Sequence, residues 1–270
     1  MNDPSFWAPP WVPTLVARPR PARDCLYLSD LHLGAGASQR ERERDLLHLL
    51  EGLPGRVDTL VFGGDLFEFW WEWDAAVPRR HMDVLFALRK ASDAGVRLRF
   101  VAGNHDFAIG RFLAEFLAAD VDQDGFCLDL DGDRWLLLHG DGMARSDRLD
   151  RLVRRVLRSR AARKAWNLLP PDVAFGLAGA VGGTTRKLNP GPPPNIGQYG
   201  EAVAAWIARW NLAGVVHGHT HRPLLAPVGS GCHVNNGDWL NWRHAVWIRP
   251  GRNVRLVDCS KEGHPWLSST

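Results

Sequence analysis

Cysteine, methionine and tyrosine are scarce in this chain, at four, three and two among 270 residues. Cys25, Cys127, Cys232 and Cys259 lie far apart, with neither the paired spacing of a zinc site nor the density of a disulfide framework. That excludes a thiolate metal centre and a disulfide-stapled secreted module, and points to a reducing compartment. Long apolar runs are missing too: none approaches the roughly 18 residues a bilayer span needs. Residues 1–24 lack the apolar core of a secretory signal. A cytoplasmic protein is expected. Charge of one sign is also lacking, since 33 basic and 30 acidic residues leave a net charge of +3.

What the chain has is five short blocks of metal-ligand residues, each behind an apolar run that reads as a buried strand. They are Asp30-Leu31-His32, Gly64-Asp65-Leu66-Phe67-Glu68, Gly103-Asn104-His105-Asp106, His139-Gly140-Asp141 and Gly218-His219-Thr220-His221. The runs before them are 25–29, 59–63, 97–102, 135–138 and 214–217. Apolar runs that stop at Gly or Asp and then release His, Asp and Asn put oxygen and nitrogen donors at strand carboxyl ends, where open α/β sheets keep their sites. One such block is common by chance, and a lone His behind a strand is more often a satisfied core residue. Five in order are not.

Together the blocks supply Asp30, Asp65 and Asn104 as oxygen donors and His32, His139, His219 and His221 as imidazoles. Seven donors are too many for one ion. A mixed oxygen and nitrogen set suits Mn, Fe, Zn or Ni better than Ca or Mg. The reading is two ions sharing one carboxylate.

The order Asp-x-His, Gly-Asp-x-x-Glu, Gly-Asn-His-Asp, His, Gly-His-x-His resembles the calcineurin-like metallophosphoesterase superfamily over roughly residues 26–248. The resemblance implies that Asp30, His32, Asp65 and His221 hold one ion and Asp65, Asn104, His139 and His219 the other, with Asp65 the bridge. It further implies that His105 donates a proton to a phosphate oxygen, or stabilises charge there, and that Asp106 orients the His105 imidazole. Two divalent ions are expected, Mn²⁺ first, with Fe²⁺ and Zn²⁺ satisfying the same ligands.

At 270 residues, 45% of them hydrophobic, the chain can bury one full core, and the spread of the blocks requires a single catalytic domain. Helices are expected over 40–53, 79–94 and 196–210, the last with Val203, Trp206, Ile207 and Trp210 on one face. Late strands are expected over 232–235, 245–248 and 254–257. The fold class is α/β, an α+β sandwich in four αββα layers with a helical cap insertion. Residues 1–24 read as a Pro-rich extended arm that wraps the body through its tryptophans, 25–260 as the metallophosphoesterase domain, 145–195 as the cap, and 261–270 as a tail.

The cap breaks the rhythm of the chain. Its first part carries nine basic residues from Arg145 to Lys164 against Asp147 and Asp150, around an apolar stripe of Leu149, Leu152, Val153, Val156 and Leu157. A helix of that kind suits an anionic membrane surface, and equally a solvated face. The nearly uncharged stretch 168–183 follows, and the aromatic block Phe69-Trp70-Trp71-Glu72-Trp73 sits directly behind the expected bridge. Both can wall an apolar groove or fill core.

Gly-Asp-Leu-Phe-Glu-Phe-Trp, Asp106-Phe107, His139-Gly140-Asp141-Gly142 and Asn236-Gly237-Asp238-Trp239 look most like the UDP-2,3-diacylglucosamine pyrophosphohydrolases. That resemblance implies hydrolysis of a nucleotide-linked glycolipid to UMP and a lipid sugar phosphate, as in lipid A synthesis. It implies acyl chains held by the cap and a place at the inner face of the membrane. Asn104, Asp147, Thr184, Thr185 and Lys187 would contact the sugar phosphate. One departure stands out: many members have Arg after the Asn of the third block, where this chain has His105. A soluble phosphomonoesterase or phosphodiesterase acting on nucleotides or phosphoproteins is the alternative that His105 favours. A pure binder of membrane or nucleic acid has no need of the ligand set. Neither a specific nucleic acid nor a protein partner is expected.

Overall fold

The computed structural model describes residues 9, 11–36, 38–73, 76–143, 156, 159–177 and 196–259. The strands are β1 (Arg20–Pro21), β2 (Cys25–Leu28), β3 (Thr59–Phe62), β4 (Arg97–Val101), β5 (Asp120–Asp122), β6 (Phe126–Leu130), β7 (Asp133–Leu137), β8 (Gly214–His217), β9 (Leu224–Val228), β10 (Gly231–Asn235), β11 (His244–Arg249) and β12 (Asn253–Asp258). The helices are α1 (Val12–Val16), α2 (Gln39–Gly52), α3 (Met82–Asp93), α4 (Arg111–Leu117), α5 (Arg160–Asn167), α6 (171–177) and α7 (Ile196–Trp210). A 3₁₀ turn over Arg79–His81 leads into α3.

β2, β3 and β8 are buried at every residue, as strands covered on both faces must be. They belong to two six-stranded sheets, ordered β12-β11-β2-β3-β4-β5 and β1-β6-β7-β8-β10-β9. In the first, β2 to β5 run parallel. In the second, β7, β8 and β10 do so. Side chains alternate along each strand. Cys25 and Tyr27 face the opposite sheet with Val61, Val101, Trp135 and Val216, while Leu26 and Leu28 face α2 and α3 through Leu46, Leu49, Leu85 and Leu88. The other sheet turns Leu136 and Val215 outward onto Val203, Trp206 and Ile207 of α7. This is the expected αββα order.

The missed edge strands share a cause. β1, β5 and β9 lie at or beside sheet edges, and their sequences carry Pro21, Asp120, Asp122 and Pro227. Proline and charge are what edge strands use to stop further pairing, and they erase the apolar signal. The extended arm needs a correction: Pro13 stands in the first turn of α1, where its missing N–H costs nothing. Val12 and Val16 are buried in one cluster with Leu136 and residues of α7, with Trp11 partly buried beside them, so residues 11–16 lie on the body. Of the basic segment, residues 145–155, 157 and 158 lie outside the described residues, while α5 begins at Arg160 and carries Lys164 exposed. No helix among the described residues is long and apolar enough to cross a membrane.

A buried hydrogen bond ties the two sheets, from Tyr27 Oη to the carbonyl of Leu138 at 2.7 Å. Tyr27→Phe keeps the ring and strands that carbonyl. The expected loss is about 1–3 kcal/mol, a fall of roughly 2–12 °C in melting temperature for a chain of this size. A calorimetric scan showing no shift would mean that the hydroxyl contributes nothing net.

Candidate metal centre

The carboxyl ends of six strands, one more than expected, meet at one edge of the sandwich. Asp30 and His32 follow β2, Asp65 follows β3, Asn104 and His105 follow β4, His139 follows β7, and His219 and His221 follow β8. The sixth strand, β10, delivers Asn236 and Asp238. Main-chain bonds stitch the loops together: Asp30 N–H donates to Gly64 O at 3.1 Å, Gly218 N–H to His139 O at 2.8 Å, and Trp239 N–H to Asp30 O at 3.1 Å.

Five of the seven expected ligands sit in the left-handed backbone region: Asp30 (φ 57°), His32 (48°), Asp65 (54°), His219 (63°) and His221 (57°). Non-glycine residues there are uncommon, and a strained backbone persists only where the surroundings over-determine it, typically at sites. Two glycines make the crowding possible. A Cβ on Gly103 would stand 2.0 Å from Asp65 Oδ1, and one on Gly218 would stand 2.0 Å from Asp30 Oδ2. Any side chain at either place would displace a ligand.

Three imidazoles use the same device. His139 Nδ1 faces Gly63 O at 2.9 Å, His32 Nδ1 faces Glu68 Oε2 at 3.0 Å, and His221 Nδ1 faces Asp238 Oδ2 at 3.2 Å. With Nδ1 held from outside, each ring turns Nε2 inward, the arrangement by which outer partners aim metal-binding histidines. There His139 Nε2 lies 3.0 Å from Asn104 Oδ1 and 3.5 Å from Asp65 Oδ2. His221 Nε2 lies 3.1 Å from Asp30 Oδ1, and His32 Nε2 lies 3.8 Å from Asp65 Oδ2. His219 packs edge-on against His139 at 5.2 Å between ring centres. All seven expected ligands are thus brought together.

The donor set fits divalent cations. Three overlapping triads hold their ligand atoms within 4.8 Å of one another: Asp30 with His32 and His221, His32 with Asp65 and His105, and Asp30 with Asp65 and His139. His32 Nε2 is buried with no hydrogen-bond partner. Burial opposes the charge of Asp30, yet the hydrogen bond from His221 and the pull of His139 and His32 hold its carboxyl well below the usual range. Burial likewise works against His221, but Asp238 and Asp30 draw it up to about 10. A cation between these groups takes the place of that proton.

Asp106 corrects one expectation. Its carboxylate accepts from the main-chain amides of Gly103 (2.8 Å), Asp65 (3.0 Å), Leu66 (2.8 Å) and Phe67 (3.4 Å), and so clasps the β3 loop to the β4 loop. It does not orient His105. Burial, then the neighbouring charge of Asp65, pushes its carboxyl up to about 6. The partner of His105 is Glu68: His105 Nδ1 lies 3.1 Å from the Glu68 carbonyl and 3.6 Å from Oε2.

The chain is similar to known proteins. The family model for calcineurin-like phosphoesterases matches residues 25–223. The chain belongs to that family. Curated relatives include the UDP-2,3-diacylglucosamine hydrolase of Neisseria gonorrhoeae, 31% identical over 81% of this chain and 91% of that protein. Proteins of the same name from Shewanella putrefaciens, 28% identical over 83% and 92%, and Nitrosococcus oceani, 29% identical over 83% and 90%, also match. Among solved structures, an archaeal phosphodiesterase aligns over 87% of this chain and 99% of its own, with 14% identity and a TM-score of 0.43. This chain is a metal-dependent phosphoesterase.

Asp147, Thr184, Thr185 and Lys187, expected to contact the sugar phosphate, lie outside the described residues. The sequence reading assigned no role to Glu68, Asn236 or Asp238, although all three stand in quoted blocks. Asn236 accepts from Ser29 Oγ at 2.6 Å, the hydroxyl that also reaches Asp30 Oδ2 at 2.5 Å. Glu68 stands three residues beyond a ligand, but Asn236 and Asp238 follow β10, which carries none of the expected ligands.

The expected bridge can be tested directly. Asp65→Ala should lower bound Mn²⁺, measured by elemental analysis after loading and desalting, from two equivalents to well under one. A variant that keeps one full equivalent would mean that Asp65 serves a single ion.

Proposed function

We propose that this phosphoesterase hydrolyses the pyrophosphate bond of UDP-2,3-diacylglucosamine, or of a closely similar nucleotide-linked glycolipid, to UMP and a lipid sugar phosphate. The observation that carries the reading is the aromatic platform joining the metal centre to the cap. Phe69 and Trp71, a few residues beyond Asp65, and Phe107, three beyond Asn104, are buried against Trp166, Leu169 and Ala174 of the cap segment. Trp71 Nε1 donates to Asn167 Oδ1 at 2.8 Å, and Trp166 lies 5.6 Å from Trp71 between ring centres. The platform therefore anchors the cap beside the ligands. Trp70 is turned away, stacked on Phe67 in the main core.

These aromatics are filled core, so they do not themselves wall a groove. The cap segment keeps apolar surface of its own: Leu168 is 85% exposed, with Val173, Leu177 and Val156 about half exposed. Single exposed apolar residues are ordinary, but four in one segment suit acyl chains. Each CH₂ removed from water contributes about 0.8 kcal/mol, so two long chains dominate binding over the head group. The relatives named above carry the same substrate in their name.

Asp30, His32, Asp65 and His221 would hold one ion and Asp65, Asn104, His139 and His219 a second, Mn²⁺ in each. Two divalent ions there supply Lewis acidity at a phosphate oxygen and a water acidified toward neutral pH. The chain's own residues do the rest. Glu68 takes the Nδ1 side of His105 and leaves Nε2 for the substrate, on a side chain that is 24% exposed. From there it can protonate or stabilise a phosphate oxygen, which the Arg of many relatives can do only by charge. The basic segment beginning at Arg145 would meet the anionic inner face of a membrane.

Two measurements bear on this. With Mn²⁺, kcat/KM should be highest on UDP-2,3-diacylglucosamine, lower by orders of magnitude on UDP-N-acetylglucosamine, and low on p-nitrophenyl phosphate. Equal rates on the first two would put the soluble phosphodiesterase reading in front. His105→Ala should cut turnover by roughly 10²–10⁴ at unchanged metal content. Full activity would make His105 a packing residue.

A further inference from the structure

A second cavity lies behind the metal-binding loop. Val216 of β8 and Val234 of β10 face the inter-sheet core, so their neighbours His217, His233 and Asn235 turn to the outer face, beneath the start of α7. There they line a cavity of about 220 Å³ with Tyr199 of α7, Thr220 of the loop after β8 and Leu224 at the start of β9. Thr220 stands between His219 and His221, so one loop forms both the wall of this cavity and a side of the metal centre. The cap platform stands on the β3 and β4 loops of the other sheet. A substrate cut at the metals has two halves, and the molecule offers a place for each.

The chemistry of the cavity selects its occupant. It is smaller than the roughly 300 Å³ and more that a whole drug-sized ligand fills, so it takes one ring system. Rings dominate its walls: Tyr199 stacks on His217 at 5.4 Å and 23°, and His217 on His233 at 5.0 Å and 26°. The polar groups sit edge-on. His217 and His233 meet through Nε2 at 2.8 Å, and Asn235 Nδ2 donates to Thr220 Oγ1 at 3.0 Å and to Gly218 O at 2.7 Å. Asn235 Nδ2 and the two Nε2 atoms are thus paired within the wall, which leaves His233 Nδ1 and the Thr220 hydroxyl to meet an occupant, and an acyl chain would offer them nothing. A phosphate would find a single cation on the lining, Arg222, and that side chain is exposed. A flat ring with an apolar face and a hydrogen-bonding edge satisfies both kinds of wall.

We infer that this cavity, behind the metal-binding loop, binds the pyrimidine base of the leaving nucleotide. The inference rests on the nucleotide-linked substrate proposed above. The probe is uridine, which carries neither phosphate nor lipid and so reports the cavity alone. Binding to the Mn²⁺-loaded full chain is followed by ligand-observed NMR. Wild-type protein should bind uridine, and His233→Leu should weaken it roughly tenfold, as loss of a stacking ring predicts. Removing His233 strands a buried histidine, so a second variant, Leu224→Trp, fills the cavity without breaking a hydrogen bond and should abolish binding. Circular dichroism and bound metal check that both variants fold. Uridine binding that is absent from wild type, or equal in a folded Leu224→Trp protein, overturns the assignment. If uridine binds as described while the diacylated substrate is not cleaved, the base pocket stands and the lipid reading falls. If that substrate is cleaved and uridine ignores the cavity, the reverse holds.

Discussion

Two buried carboxylates within a few ångströms of each other are the constraint on which this molecule is organised. Asp30 and Asp65 are both fully buried, share a triad with His139, and are surrounded by imidazoles that hold their carboxyl groups in the charged form. An unpaired buried charge costs several kcal/mol even after relaxation. Everything nearby answers that cost. Ser29 and the His219 amide bond Asp30 Oδ2, the His105 amide bonds Asp65 Oδ1, and inward Nε2 atoms face both. The remaining requirement is positive charge, and a divalent cation meets it with one group where several protonated imidazoles would repel one another.

The left-handed backbone follows from the same constraint. Donors delivered by six strand ends must converge on a volume of a few ångströms, and an extended chain leaving a strand would overshoot it. Turning the chain sharply at Asp30, Asp65, His219 and His221 brings the side chains back over the strand ends. Asp106 holds the turn after β3 through four main-chain amides, which explains why an acidic residue is needed there although it touches no imidazole.

How much of this could be read in the sequence depended on the kind of signal. β2, β3 and β8 have an uninterrupted apolar run followed by a Gly or Asp stop, and the ligand blocks are attached to those runs, so fold and ligands emerged together. β9 did not emerge because Pro227 interrupts Leu224–Val228, and β10 was read without the partner it pairs with. The role of Asp106 was carried over from the family resemblance, whereas in space the carboxylate turns toward the β3 loop. Glu68, Asn236 and Asp238 went unassigned because outer partners have no spacing rule of their own. They are defined only by which nitrogen they meet once the strands are packed.

The central claim is that these strand ends form one cradle for two ions with Asp65 between them. Anomalous diffraction from crystals of the Mn²⁺-loaded protein tests it most directly. The account requires two anomalous peaks roughly 3.5–4 Å apart, one beside His32 and His221 and one beside His139 and His219, with the Asp65 carboxylate between them. A single peak, or a pair that leaves Asp65 uncoordinated, would contradict it.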